Sequence, residues 1–151
     1  MSDTPDDRID APEPSSENPA SFFKVLVVDD ITYVLKSISR VLRDEGFFVL
    51  TARTAREAIA SYQTYGADLV TIDQKLPDMS GLELAKRIRE IDRAGVTKII
   101  FISSVYDKEE IRRILKQGVD DYLMKPFKKT RLIGTIKHVL NIVEEDIGSD
   151  E

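Results

Sequence analysis

The sequence of 151 residues contains no cysteine. That excludes a disulfide framework, thiol chemistry and any metal site built on thiolate. No apolar run reaches about eighteen residues, the minimum for a helix that crosses a membrane. Residues 1–20 lack the apolar stretch of a secretory signal, so a cytoplasmic location is the default expectation. Proline is scarce beyond the start: four of the six (Pro5, Pro12, Pro14, Pro19) fall in the first twenty residues. These sit among serines and acids with few apolar groups, a composition that cannot offset the entropy of ordering. Residues 1–21 are therefore expected to be a disordered acidic tail, either merely solvating or an arm that docks on a basic face.

The remaining composition is that of a folded domain. Apolar residues make up 42% and charged residues 32%, and the length suits one core. The net charge of -5 is uneven, since residues 1–20 carry -5 and residues 144–151 another -5, which leaves +5 for the body between them. The expected layout is a domain over residues 22–145 followed by a short acidic tail, 146–151.

Within that body, short apolar runs alternate with amphipathic stretches. Val25 to Val28 is wholly apolar, as a strand buried on both faces must be. Further strands are expected at Phe47 to Leu50, Ala67 to Ile72, Lys98 to Ile102 and Asp121 to Met124. Between them, apolar residues recur at helical spacing. Thr54 with Glu57, Ser80 with Glu83 and Asp107 with Glu110 look like caps paired with an acid in the first turn. Gly46, Gly66 and Gly118 supply stops. The last helix, about Lys129 to Glu145, would turn Leu132, Ile133, Ile136, Val139, Leu140 and Val143 inward. Five strands alternating with five helices imply an α/β fold with a parallel sheet and helices on both faces.

In such sheets ligands bind beyond the carboxyl ends of the strands. Here those ends carry Asp29 and Asp30, Asp73, Ser103 and Lys125. Taken alone, Asp29-Asp30 reads more readily as a turn pair than as a metal site. Taken together, three converging carboxylates repel one another unless a cation sits among them, and an oxygen-only set suits Mg²⁺. Lys125 would add positive charge, and the Ser103 hydroxyl could hydrogen-bond a phosphoryl oxygen. The set is chemically complete for phosphoryl transfer onto a carboxylate.

Four motifs in order carry a family resemblance. They are Val-Val-Asp29-Asp30, Asp73 followed by Leu76-Pro77-x-Met79-x-Gly81, Ile-Ser103-Ser104, and Tyr122-Leu-Met-Lys125-Pro126-Phe127. Over residues 23 to about 143 the chain resembles the receiver domain of two-component response regulators. The resemblance implies a flavodoxin-like sheet of order 2-1-3-4-5, with Asp73 as phosphoacceptor from the phosphohistidine of a sensor kinase. It implies Mg²⁺ held directly by Asp30, Asp73 and the backbone carbonyl of Lys75, with Asp29 acting largely through water. Lys125 would pair with the phosphoryl group, ahead of a cis bond to Pro126. Ser103 would move onto the phosphoryl oxygens and Tyr122 swing in behind it, the alternative for Tyr122 being strand packing.

The signal would pass to the face of the fourth helix, fifth strand and fifth helix, where a downstream protein binds. That face holds Arg112, Arg113, Lys116, Lys128, Lys129, Arg131 and Lys137, either a solvated surface or a dock for an acidic partner. The expected protein is a stand-alone, chemotaxis-regulator-like switch, monomeric or weakly dimeric when phosphorylated. It is a phosphoacceptor rather than an enzyme. Alternatives are a phosphorelay intermediate serving a histidine phosphotransfer protein, a degenerate receiver, and an aspartate-nucleophile phosphatase. The last would want Asp-x-Asp where adjacent acids stand here. DNA binding is not expected, because no helix-turn-helix follows. The only histidine, His138, lies off the apolar face of its helix, so the chain has no phosphohistidine of its own to relay. Lys75 and Val105 are expected to influence how fast water attacks the acyl phosphate.

Overall fold

A strand that is apolar at every position has no polar side to turn to water, so it must lie between two covering layers. The computed structural model, which describes residues 14–15, 17–104 and 107–143, builds this arrangement. In chain order the elements are β1 (Lys24–Val28), α1 (Thr32–Asp44), β2 (Phe48–Ala52), α2 (Ala55–Tyr65), β3 (Leu69–Asp73), α3 (Gly81–Ile91), β4 (Lys98–Ser103), α4 (Lys108–Leu115), β5 (Asp121–Met124) and α5 (Lys129–Leu140). The sheet order is β2-β1-β3-β4-β5, and every neighbouring pair is parallel. This is the expected flavodoxin-like receiver topology.

Alternation along each strand divides the core in two. Leu26, Val28, Val70, Ile72, Ile99 and Phe101 face the layer that includes Ala55 and Ala58 of α2, Leu84 and Ile88 of α3, and Ile114 of α4. Val25, Val27, Leu69, Ile100, Ile102 and Leu123 face Leu35, Ile38 and Leu42 of α1 and Leu132 and Ile136 of α5. Each fully buried Leu, Ile or Phe contributes about 1.5–3 kcal/mol of transfer free energy, so the two layers supply most of what opposes chain entropy.

The caps form with two variations on the expected pattern. The Thr54 hydroxyl accepts from the Glu57 N–H at 3.0 Å, and the Ser80 hydroxyl from the Glu83 N–H at 3.1 Å. Glu57 reaches back one residue further than in a strict capping box, to the Arg53 N–H at 2.9 Å. Asp107 accepts from Glu109, while Glu110 turns elsewhere.

The boundaries differ from the sequence reading in three regions above all. β2 and β3 start later and run further, β3 taking Asp73 itself as its last residue. Helix α5 stops at Leu140, because Asn141 adopts a left-handed conformation at φ 63°. The Ile142 N–H then donates to the Lys137 carbonyl at 2.9 Å and the Asn141 N–H to that of His138 at 3.1 Å, the bond pair of a Schellman stop. Ile142 packs against the core, and Val143, expected inside, is 81% exposed.

The third difference is at the start. The expected disorder up to residue 21 does not hold where the chain is described, since Pro19–Phe22 forms a 3-10 turn capped by Asn18. Ala20 is only 1% exposed and joins the α1–α5 layer. The Asn18 amide donates to the Glu45 carbonyl at 3.2 Å, fastening this segment to the end of α1. Residues 1–13 and 144–151, which hold most of both acidic tails, lie outside the described residues. No helix among the described residues is long and apolar enough to cross a membrane.

Candidate functional site

Register brings the polar strand ends to one rim. Val28 pairs with Ile72, so Asp29 follows beside Asp73, and Asp73 pairs with Ile102, one step before Ser103. Ser103 pairs with Met124, and the Lys125 N–H donates to the Ser103 carbonyl at 2.8 Å. One carboxylate oxygen from each of Asp29, Asp30 and Asp73 lies within 4.8 Å of the others. The Lys125 ammonium stands between two of them, 3.4 Å from Asp29 Oδ2 and 3.6 Å from Asp73 Oδ1.

These groups are far from bulk water. Asp29 is 1% exposed, Asp73 9% and Ser103 4%, and Asp30 is half-buried. Asp29 is held by its other oxygen, which accepts from the Ile31 N–H at 2.9 Å. Burial, and then the Asp29 charge, push the Asp73 carboxyl above its ordinary value, with Lys125 pulling the other way. One lysine against three acids leaves a site that is short of positive charge. All of its donors are oxygen, at a spacing one cation can bridge, which fits a hard divalent ion such as Mg²⁺.

The other predicted residues fall as follows. The Lys125–Pro126 peptide bond is cis. Tyr122 is half-buried and packs against the layer that holds Phe101 and Ile114. Lys75 lies in the loop two residues after Asp73, with its side chain exposed and its backbone bridged to Ser80. Val105 lies outside the described residues. Of the basic residues on the α4–β5–α5 face, Lys137 pairs with Glu45 at 3.0 Å and Arg112 with Glu109 at 2.9 Å. His138 is exposed.

Three residues between β3 and the start of α3 have structural roles that the sequence reading did not assign. Gly81 is needed for closeness, since a Cβ there would collide with the Asp73 carbonyl oxygen, and its N–H donates to the Gln74 carbonyl at 2.7 Å. Asp78 caps a different helix from the one that follows it. Its two oxygens accept from the Ala55 and Arg56 N–H groups at 2.9 Å each, at the start of α2. Burial raises the Asp78 carboxyl, but those two bonds, a backbone bond at Asp78 itself and the Arg56 charge together hold the group below its usual value. Gln74 is the third. Its Oε1 accepts from the Ser103 hydroxyl at 2.7 Å, and its Nε2 donates to Glu110 Oε2 on α4 at 2.8 Å. Glu110, expected to reach back and cap its own helix, makes this bond to the loop after β3 instead. For Gly81 alone the sequence held a signal, its fixed spacing from Asp73.

Comparison with known proteins is consistent with this geometry. Residues 25–137 match the family model described as the response regulator receiver domain. The chain is 32% identical to the chemotaxis protein CheY of Treponema pallidum, over 91% of this chain and 94% of that protein. It is 30% identical to the chemotaxis protein CheY of Bacillus subtilis, over 78% of this chain and 98% of that one. Among solved structures, a CheY-like response regulator receiver domain protein from Methanospirillum hungatei superposes with a TM-score of 0.73 at 35% identity, covering 79% of this chain and 94% of its own.

Proposed function

The chain belongs to the response regulator receiver domain family, and from that premise we propose that Asp73 accepts a phosphoryl group from the phosphohistidine of a partner kinase. The phosphorylated protein then signals by binding another protein. The observation that carries this reading is the juxtaposition of Asp29, Asp30 and Lys125 around a buried Asp73. An ordinary surface acid needs neither such neighbours nor such burial.

In the transfer, an Asp73 oxygen forms the new bond to phosphorus as the phosphorus–nitrogen bond of the donor breaks. The electron pair of that bond returns to the imidazole, which takes up a proton. The Lys125 ammonium, already 3.6 Å from Asp73 Oδ1, meets the charge of the arriving phosphoryl oxygens. The Ser103 hydroxyl supplies a further donor on the β4 side. Asp30 and Asp73, with the backbone carbonyl of Lys75, would hold Mg²⁺ directly, and Asp29 would do so largely through water. When bound, Mg²⁺ neutralises the acids and helps to orient the phosphoryl oxygens. The chain's own part is positioning and electrostatics, the usual content of phosphoryl transfer. It is a phosphoacceptor and not a turnover enzyme.

The α4–β5–α5 face, with Arg113, Lys116 and Arg131 exposed, is the surface proposed for the downstream protein, with Tyr122 behind it as the switch. A cytoplasmic site of action follows from this role. The folded unit is proposed to include Asn18 to Phe22, which the structure packs onto α1. The test is incubation with acetyl phosphate and Mg²⁺, read by intact mass. One phosphoryl adduct is expected, lost in Asp73→Asn and on removal of Mg²⁺. An adduct that survives Asp73→Asn, or sustained turnover of phosphate esters, would overturn the reading.

A further inference from the structure

The Ser103 hydroxyl has one proton to give. In this structure it donates that proton to Gln74 Oε1, and the Gln74 amide donates in turn to Glu110 on α4. A carboxamide suits this position because it accepts through one atom and donates through the other. A carboxylate could only accept, and an ammonium could only donate. The root of the side chain is also fixed, because the Gln74 carbonyl accepts from the Gly81 N–H at 2.7 Å. Gln74 directly follows Asp73, so the bridge starts beside the acceptor and ends in the first turn of the next helix but one.

That helix is lightly anchored. Ile114 is the single buried residue of α4, against four each in α1 and α3. One hydrogen bond to Glu110 is therefore a sizeable part of what sets where α4 begins. We propose that Gln74 is a positioning residue that latches Ser103 and α4 together in the unphosphorylated protein. Ser103 can turn its proton to a phosphoryl oxygen only by leaving Gln74, and that exchange loosens Glu110 and α4. A bond to a phosphoryl dianion is the stronger of the two, so phosphorylation drives the release. The latch rests on the phosphoacceptor reading of Asp73, and it sets how readily the switch is thrown.

Beryllofluoride, a phosphoryl mimic, tests it. Its affinity in Mg²⁺ is measured by titration for the wild type, Gln74→Ala, Glu110→Ala, the double variant, Glu110→Gln and Asp73→Asn. Loss of one ordinary hydrogen bond from the latched state corresponds to about 5-fold tighter binding in Gln74→Ala. Glu110→Ala should tighten binding in the same direction and add nothing in the Gln74→Ala background, since both break one chain. Glu110→Gln keeps an acceptor oxygen and should return to wild-type affinity. Without the mimic, amide exchange in α4 should quicken in Gln74→Ala and Glu110→Ala. Unchanged or weaker affinity in the single variants, or effects that add in the double variant, would overturn the latch alone. A wild type that binds beryllofluoride no better than Asp73→Asn would overturn the phosphoacceptor reading, and the latch with it.

Discussion

Replacing Asp73 by asparagine keeps the shape of the side chain and removes its charge, so it asks what that charge costs the resting fold. The oxygens of Asp29 and Asp30 lie up to 4.8 Å from that of Asp73. At an effective dielectric of about 20, each pair repels by about 3.5 kcal/mol. The Lys125 ammonium at 3.6 Å returns about 4.6 kcal/mol on the same basis. The balance is about 2 kcal/mol against the charged Asp73, before the cost of burying it. Asp73→Asn should therefore be more stable than the wild type by about 2 kcal/mol at pH 7 in EDTA, a rise of about 1 M in the urea midpoint. Saturating Mg²⁺ should narrow the gap, because a cation that binds the folded acids stabilises the wild type more.

The pH dependence has a definite sign. The Asp73 carboxyl titrates above its ordinary 3.8 in the folded protein, so the folded state binds the proton more tightly than the unfolded one. The wild type then loses stability as pH rises from about 4 through the folded value, and the gap to Asp73→Asn opens over that window. Urea titrations followed by circular dichroism, at several pH values with and without Mg²⁺, measure all of this. A variant no more stable than the wild type in EDTA at pH 7 would refute the reasoning, and would mean that water screens the site despite its burial.

Tyr62 offers a second pH test, at the other end of the sheet. Its hydroxyl lies 2.5 Å from Thr97 Oγ1, whose own proton goes to the Ala67 carbonyl, so Tyr62 is the donor. Burial raises its phenol above 10.0, so stability should fall as pH climbs past 10 through the folded value. Tyr62→Phe should cost about 1 kcal/mol at pH 7 and flatten that alkaline loss, as read from urea midpoints between about pH 7 and 11. Gly81→Ala drives a methyl group into the Asp73 carbonyl and should cost about 1–3 kcal/mol. The same shift of Asp73 should slow its labelling by acetyl phosphate, measured by intact mass over time.

What the sequence disclosed about this molecule was local. Val25 to Val28 had to be buried on both sides whatever its neighbours were, and Thr54 and Ser80 act on N–H groups three residues away. The strand-end acids were visible because topology alone gathers them. Gln74 was hidden for the opposite reason: its partners stand 29 and 36 residues along the chain, and nothing in its own neighbourhood marks it. Glu110 had been assigned a local bond that this distant one replaces. At α5 the apolar spacing continued to Val143, but spacing does not register that Asn141 takes a left-handed turn and ends the helix. At the N-terminus, composition did not register that one small side chain, Ala20, is enough to seat a turn.

The turn at Pro19–Phe22 extends the packed structure toward the N-terminus. The stretch matched by the family model begins at residue 25, while Ala20 fills a notch in the α1–α5 layer and Asn18 is tied to the end of α1. A chain trimmed to the matched stretch would keep Asp29, Asp30, Asp73, Ser103 and Lys125 and still be a wounded protein, with an apolar notch open to water beneath α1. The matched stretch and the packed structure have different borders here, and the second lies further toward the N-terminus.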